Sequence, residues 1–333
     1  MSGEGKLSRT AAIVSTGMYV PPRVMTNADL AKLVETSDEW IVTRTGIRER
    51  RIAAPEQATS DLAAEASKQA LERAGIAPTD VDLIILATLS PDTITPSSAC
   101  VMQAKIGASR AAALDISAAC SGFVYGLSLA RGAIVSGEAG TVLLVGAEVT
   151  SKFMDWTDRA NCVLFGDAAG AVVMRPSDGD RGVLGTVLGA DGSMAPLIAI
   201  AAGGSRTPAS AETVEKKMHT LRVRGGEVFK AGVRTMAQSV RDVLAKCGLK
   251  QEDLALLIPH QANQRIIAAV ADSLEMPIEK VFMNLEKYGN TSAATIPVAL
   301  HEAVEQGRLK PGDLVGVVAF GGGITWGAAV IRW

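Results

Sequence analysis

Residues 71–87, LERAGIAPTDVDLIILA, and residues 244–260, LAKCGLKQEDLALLIPH, carry one pattern. In each, a helical stretch ends at a glycine (Gly75, Gly248), four residues of turn follow, and an acidic residue leads into an apolar strand. The two begin 173 residues apart. Self-similarity at that distance is too long for a solenoid and marks a duplicated unit. A second pair extends it: CSGFVYGLSLARGAIVSG (120–137) aligns with NTSAATIPVALHEAVEQG (290–307). Each of these runs to a glycine, a turn and an apolar strand, TVLLVGAE (141–148) and DLVGVVAFGGG (313–323). Each half therefore reads helix, strand, helix, strand, which requires crossover connections and sheets covered by helices.

The joint falls in RPSDGDRG (175–182), where Pro, Gly and charge interrupt the apolar pattern, so the halves are taken as 1–180 and 181–333. The irregular stretch AAGGSRTPASAETVEKKMHT (201–220) reads as a long loop or cap. This alignment pairs Cys120 with Asn290 and Ala87 with His260. Packing about a pseudo-twofold axis then draws Cys120, His260 and Asn290 towards one central seam.

Composition narrows the class. The 333 residues suit roughly two domains or halves. With 48% hydrophobic and 20% charged residues the chain buries a large core, and aromatics at 4% leave that core to Ala, Val, Leu and Ile. Lys and Arg (33) nearly balance Asp and Glu (35), so no bulk field exists for gripping nucleic acid, and an acidic partner must meet a local basic patch. The cysteines at 100, 120, 162 and 247 form no CxxC, which fits a reducing compartment. The N-terminal stretch has no long apolar core, and no apolar run reaches the ~18 residues of a membrane span. The expectation is an α/β protein of the cytoplasm with neither nucleic acid nor membrane as partner.

Cys120, in LDISAACSGFVYGL, follows a strand and opens a helix, where free N–H groups and the helix dipole favour thiolate; inert burial is the common fate of a cysteine. Cys100, Cys162 and Cys247 lie in apolar helical or strand-like runs and read as core. His260 closes the apolar strand LALLIPH, where α/β proteins place ligands, although a merely satisfied histidine also fits; His219 and His301 read as non-catalytic. Asn290 alone is as readily a helix cap or turn residue. FGGGITWGA (320–328) lies between two strands with no P-loop lysine, which excludes a phosphate cradle.

In TSDEWIVTRTGIRERR (36–51), DISAACSGF (115–123), DRANCVLFGDAAGAVV (158–173), GGEVFK (225–230), PHQANQRI (259–266), YGNTSAATIP (288–297) and FGGGITWGAA (320–329), the chain resembles the β-ketoacyl-acyl-carrier-protein synthase III family of the thiolase-like superfamily. The resemblance implies a duplicated five-layer αβαβα fold, a homodimer, and decarboxylative condensation of an acyl-coenzyme A primer with malonyl-acyl carrier protein. It implies no metal and no resident cofactor, coenzyme A entering as the substrate thioester. By this resemblance Cys120 matches the acyl-accepting nucleophile, and His260 with Asn290 matches the pair that supports decarboxylation. Backbone N–H groups of Cys120 and Gly322 match the oxyanion hole. Trp40 and Arg159 match the pair that sandwiches the adenine of coenzyme A, with Thr36 and Arg44 as further nucleotide contacts and Phe229 and Asn263 in the pantetheine tunnel. Lys230 and the run Gln261, Ala262, Asn263, Gln264 and Arg265 match the surface that receives the carrier protein.

Thr95, in PDTITPSSAC (91–100), stands where some members close the acyl pocket with a phenylalanine from the partner subunit, so a primer longer than acetyl is admitted. The same triad serves specialised condensing enzymes of polyketide-type metabolism. The order Cys, His, Asn also occurs in papain-like peptidases, whose CGSCW-like signature this chain lacks.

Overall fold

The computed structural model describes residues 10–333. Its main elements are β1 (Thr10–Tyr19), α1 (Asp38–Thr45), α2 (Thr59–Ala74), β2 (Leu83–Ala87), α3 (Ser98–Ile106), β3 (Ala112–Ile116), α4 (Gly122–Ser136), β4 (Val142–Val149), β5 (Asp167–Ser177), β6 (Gly182–Ala190), α5 (Gly225–Cys247), β7 (Leu254–Pro259), α6 (Gln264–Ser273), α7 (Thr295–Glu305), β8 (Leu314–Gly321) and β9 (Thr325–Arg332). Gly75 and Gly248 end α2 and α5 in the left-handed conformation (φ 63° and 66°), a geometry glycine adopts without a Cβ clash. The chain then turns into β2 and β7, as the repeat predicts.

One sheet has the order β1-β5-β4-β2-β3, with β5 antiparallel to β1 and β4, and β2 parallel to β4 and β3. The other has the order β6-β9-β8-β7, with β9 antiparallel to β6 and β8, and β7 parallel to β8. The fifth position of the second sheet is reduced to one parallel bridge, Leu257 to Val281. The two sheets thus share one order and one pattern of directions, and residues 178–181 join them.

Helices α4 and α7 lie between the sheets and touch both, α2 and α3 cover the first sheet, and α5 and α6 cover the second. That is the five-layer thiolase-like architecture. Phe123, Leu127 and Ile134 of α4 meet Ile296 and Leu300 of α7, with Ile85, Leu144, Ile258 and Val317 of the sheets around them. One helical stretch, Ala119–Ser136, is long and apolar enough to cross a bilayer; it is this central-layer helix, and half of it is buried between the sheets.

The structure corrects one alignment. Ala119 and Ser292 both take positive φ (46° and 48°), each three residues before the helix starts at Gly122 and Thr295. Those pairs are 173 residues apart, whereas the closing glycines Gly137 and Gly307 are 170 apart. The span from helix start to closing glycine is thus three residues shorter in the second half, and α7 has 11 residues against 15 in α4. Cys120 is therefore equivalent to Ala293, not to Asn290, which lies three residues further out in the turn. The segment 201–220 is also more ordered than a loop: Ala211–Glu215 is helical, and Ile198–Ile200 pairs with Leu221–Val223.

Candidate active site

Cys120 lies in a 3-10 turn (Ala119–Ser121) at the head of α4, directly beneath the end of β8. A Cβ on Gly321 would stand 2.6 Å from the Cys120 nitrogen and 3.0 Å from that of Ser121, so only glycine lets β8 approach the turn. Sequence reasoning named Gly322 and passed over Gly321. His260 follows β7, its backbone N–H bonded to the Val318 carbonyl at 2.7 Å, and its Nδ1 lies 2.7 Å from the Thr295 hydroxyl. The backbone of Asn290 is pinned to residues 164–166: its N–H meets the Leu164 carbonyl at 2.8 Å, and its carbonyl takes the Gly166 N–H at 3.1 Å.

All three side chains line one cavity of about 140 Å³, with Leu89, Phe229, Met236 and Phe320 among its apolar walls. The Oδ1 of Asn290 accepts the Ser292 N–H at 2.8 Å. That bond spends the amide carbonyl inside the turn and leaves the NH2 as the donor. Asn290 is thus a turn residue and an available donor at once.

Electrostatics overturns the expectation of a resting thiolate. Burial pushes the Cys120 thiol up to about 12, and the negative charge of Glu148 acts the same way. The Ser292 side chain and the Cys120 backbone N–H act in the opposite sense and are outweighed by the loss of water. Burial also pulls His260 down to about 3, so both groups rest neutral near neutral pH. Glu148 stands alone in the fully buried strand β4 and accepts from Thr88 Oγ1 at 3.0 Å, from Leu89 and Ser90 N–H at 3.1 Å, and from Ser90 Oγ at 2.5 Å. It fixes the loop that carries Leu89 into the cavity. A lone carboxylate in an apolar strand was a legible signal for it.

Of the other expected contacts, Phe229, Ala262 and Asn263 line the cavity, and Asn263 ties Arg44 to it. Arg44 and Arg159 both stack on Trp40, at 4.5 and 4.8 Å from the ring centroid, and Arg159 also donates to the Glu35 carbonyl at 3.0 Å. The Arg159 guanidinium therefore covers the Trp40 ring in this structure. The Thr36 hydroxyl oxygen is enclosed with no protein partner among the described residues. Asn263 caps α6 through the Arg265 N–H and donates to the Arg44 carbonyl at 2.9 Å, and it lines the cavity with Ala262 and Phe229. Lys230, Gln264 and Arg265 are exposed.

Gln261 is not a surface residue. It is 1% exposed, donates to the carbonyls of Pro259 and Phe282, and accepts the Asn284 N–H, so it is removed from any docking surface. Thr95 is exposed on this chain beside the outward-pointing Ile94 and is not in the lining of its own cavity.

The model of the 3-oxoacyl-[acyl-carrier-protein (ACP)] synthase III family matches residues 114–192, and that of its C-terminal part matches 244–333. A β-ketoacyl-[acyl-carrier-protein] synthase III of Caldanaerobacter subterraneus is 54% identical over 323 residues, covering 97% of this chain and 98% of the relative. The chain belongs to the β-ketoacyl-acyl-carrier-protein synthase III family. A 3-oxoacyl-[acyl-carrier-protein] synthase III from Aquifex aeolicus superimposes with a TM-score of 0.90 at 50% identity, covering 97% of this chain and all of that one. The corresponding synthase III of Thermus thermophilus gives 0.91 at 47% identity, over 97% and 99% of the two chains. As a member of this family the chain is a condensing enzyme of the acyltransferase type.

Proposed function

We propose that the enzyme initiates fatty-acid synthesis by joining an acyl-coenzyme A primer, acetyl or longer, to malonyl-acyl carrier protein, releasing coenzyme A and CO2. The Cys120 sulfur attacks the primer carbonyl, the bond from carbonyl carbon to the coenzyme A sulfur breaks, and the thiol proton leaves with that sulfur. The carrier then delivers malonate. As the carbon–carboxylate bond breaks, its electron pair moves to the thioester oxygen, where Nε2 of His260 and the NH2 of Asn290 donate. The resulting enolate carbon attacks the acyl-cysteine and frees Cys120 as thiolate, which takes a proton from solvent. Backbone N–H groups of Cys120 and Gly322 hold the oxyanion in both attacks.

The observation that carries this reading is the shared cavity of Cys120, His260 and Asn290, with the Asn290 carbonyl already spent on Ser292. Thr36, Trp40, Arg44 and Arg159 hold the nucleotide, and Phe229 and Asn263 hold the pantetheine arm. Lys230, Gln264 and Arg265 receive the acidic carrier beside Ala262. The halves 1–180 and 181–333 contribute the nucleophile and the decarboxylation pair respectively.

The enzyme works in the cytoplasm as a homodimer. The edge of β3, unpaired among the described residues, with the 86% exposed Ile94 and the 40% exposed Leu114, supports a second copy docking there and bringing Thr95 to the neighbouring acyl pocket.

Mass spectrometry after incubation with acyl-CoAs, together with labelled CO2 release from malonyl-carrier, tests the scheme. Cys120→Ser should carry no acyl group. His260→Ala and Asn290→Ala should still load Cys120 but lose about 10²–10³ in CO2 release. Acyl label on another residue, or normal CO2 release in both donor variants, rejects these roles.

A further inference from the structure

The turn that heads α7 touches both decarboxylation residues. Ser292 N–H donates to the side-chain Oδ1 of Asn290, and the Thr295 hydroxyl oxygen stands 2.7 Å from Nδ1 of His260 and 2.9 Å from the Ser292 carbonyl oxygen. A hydroxyl has one proton and gives it to one acceptor. The Ser292 carbonyl already receives the backbone N–H of Thr295, so it stays satisfied when the hydroxyl turns away. His260 and Thr295 are both 2% exposed, so no bulk water replaces a missing partner at Nδ1. The ring is neutral, and one nitrogen carries the proton while the other carries a lone pair.

We propose that Thr295 donates its hydroxyl to Nδ1 of His260 and thereby holds the ring in the Nε2–H tautomer, as the positioning residue of the decarboxylation step. This rests on the reading above, in which His260 and Asn290 donate to the malonyl thioester oxygen. The reverse arrangement, with Nδ1–H donating to Thr295, would aim the lone pair of Nε2 at an oxygen that is gaining negative charge. Donation into Nδ1 also polarises the ring and makes Nε2–H a stronger donor. One four-residue turn therefore aims both donors, Asn290 through a backbone N–H and His260 through a side-chain hydroxyl.

Thr295→Val removes the hydroxyl at nearly constant volume, and Thr295→Ser keeps it. The chain has three histidines, so nitrogen-15 NMR of histidine-labelled protein resolves His260. The wild type should show a protonated Nε2 and a bare, hydrogen-bonded Nδ1, and the Nδ1 signal should move to that of an unbonded nitrogen in Thr295→Val. CO2 release from malonyl-carrier should fall about tenfold in Thr295→Val with acyl loading of Cys120 nearly unchanged, and Thr295→Ser should restore it.

A proton on Nδ1 in the wild type overturns the proposal. So does unchanged CO2 release in Thr295→Val, an equal loss in both half-reactions, or a loss that serine does not relieve. A wild type that neither loads Cys120 nor releases CO2 rejects instead the functional reading, and the nitrogen spectrum still decides how Thr295 and His260 are bonded.

Discussion

At Cys120 two influences oppose each other. The head of α4 favours a thiolate, while enclosure at 7% exposure with the carboxylate of Glu148 nearby favours the thiol. The thiol wins, because a helix end contributes at most about 2 kcal/mol and full desolvation of an anion costs more. The thiolate fraction is therefore small at neutral pH and grows about tenfold per pH unit until the raised pKa is reached. Alkylation of Cys120 by iodoacetamide, mapped by mass spectrometry, should still be accelerating between pH 9 and 10. A plateau near pH 8.5 would mean that the dipole prevails after all.

At the scale of elements, the site is a junction of strand ends and helix starts. β8 delivers the glycine turn, β7 delivers His260, and the turns before α4 and α7 deliver Cys120 and the residues that orient Asn290. Close backbone approach makes the junction tight. Gly122 faces Ala87, where a Cβ would come within 2.9 Å, and Gly146 of β4 would place one 2.3 Å from the Ala293 carbonyl oxygen. Gly321→Ala should thus displace the Cys120 turn, costing about 1–3 kcal/mol of stability and on the order of 10² in acylation rate. Acyl loading that survives within a factor of two would show that β8 can retreat without carrying Cys120 along.

At the scale of the whole molecule the first sheet ends on β3, whose outer edge has no strand beside it among the described residues. Leu114→Asp places a charge on that edge at a position already 40% exposed. Its melting temperature at high dilution should stay within about 2 °C of the wild type, since surface changes cost little. Analytical ultracentrifugation should show the wild type as a dimer and Leu114→Asp as a monomer, the latter with acylation impaired because Thr95 no longer reaches the neighbouring pocket. A variant that still dimerises would place the interface elsewhere.

Residue order alone determined the duplication, the alternation of helix and strand, and the cluster of motifs that holds the triad. Gly75 and Gly248 illustrate why: a helix stop is a local backbone event, and the φ > 0 it needs is visible in the residue type itself. The motif YGNTSAATIP (288–297) likewise contained Ser292 and Thr295 in plain view, but nothing in their spacing said which would meet His260. Tertiary structure decided the rest. It matched the positive-φ turn at Ala119 to the one at Ser292 and so made Ala293, and not Asn290, the twofold partner of Cys120. It turned Gln261 inwards, laid Arg159 on Trp40, and enclosed Cys120 so that burial raises its pKa. Each of these depends on groups distant in sequence, because desolvation, stacking and the choice of a hydrogen-bond partner are set by whatever surrounds a side chain in space, and adjacency in the chain does not encode them.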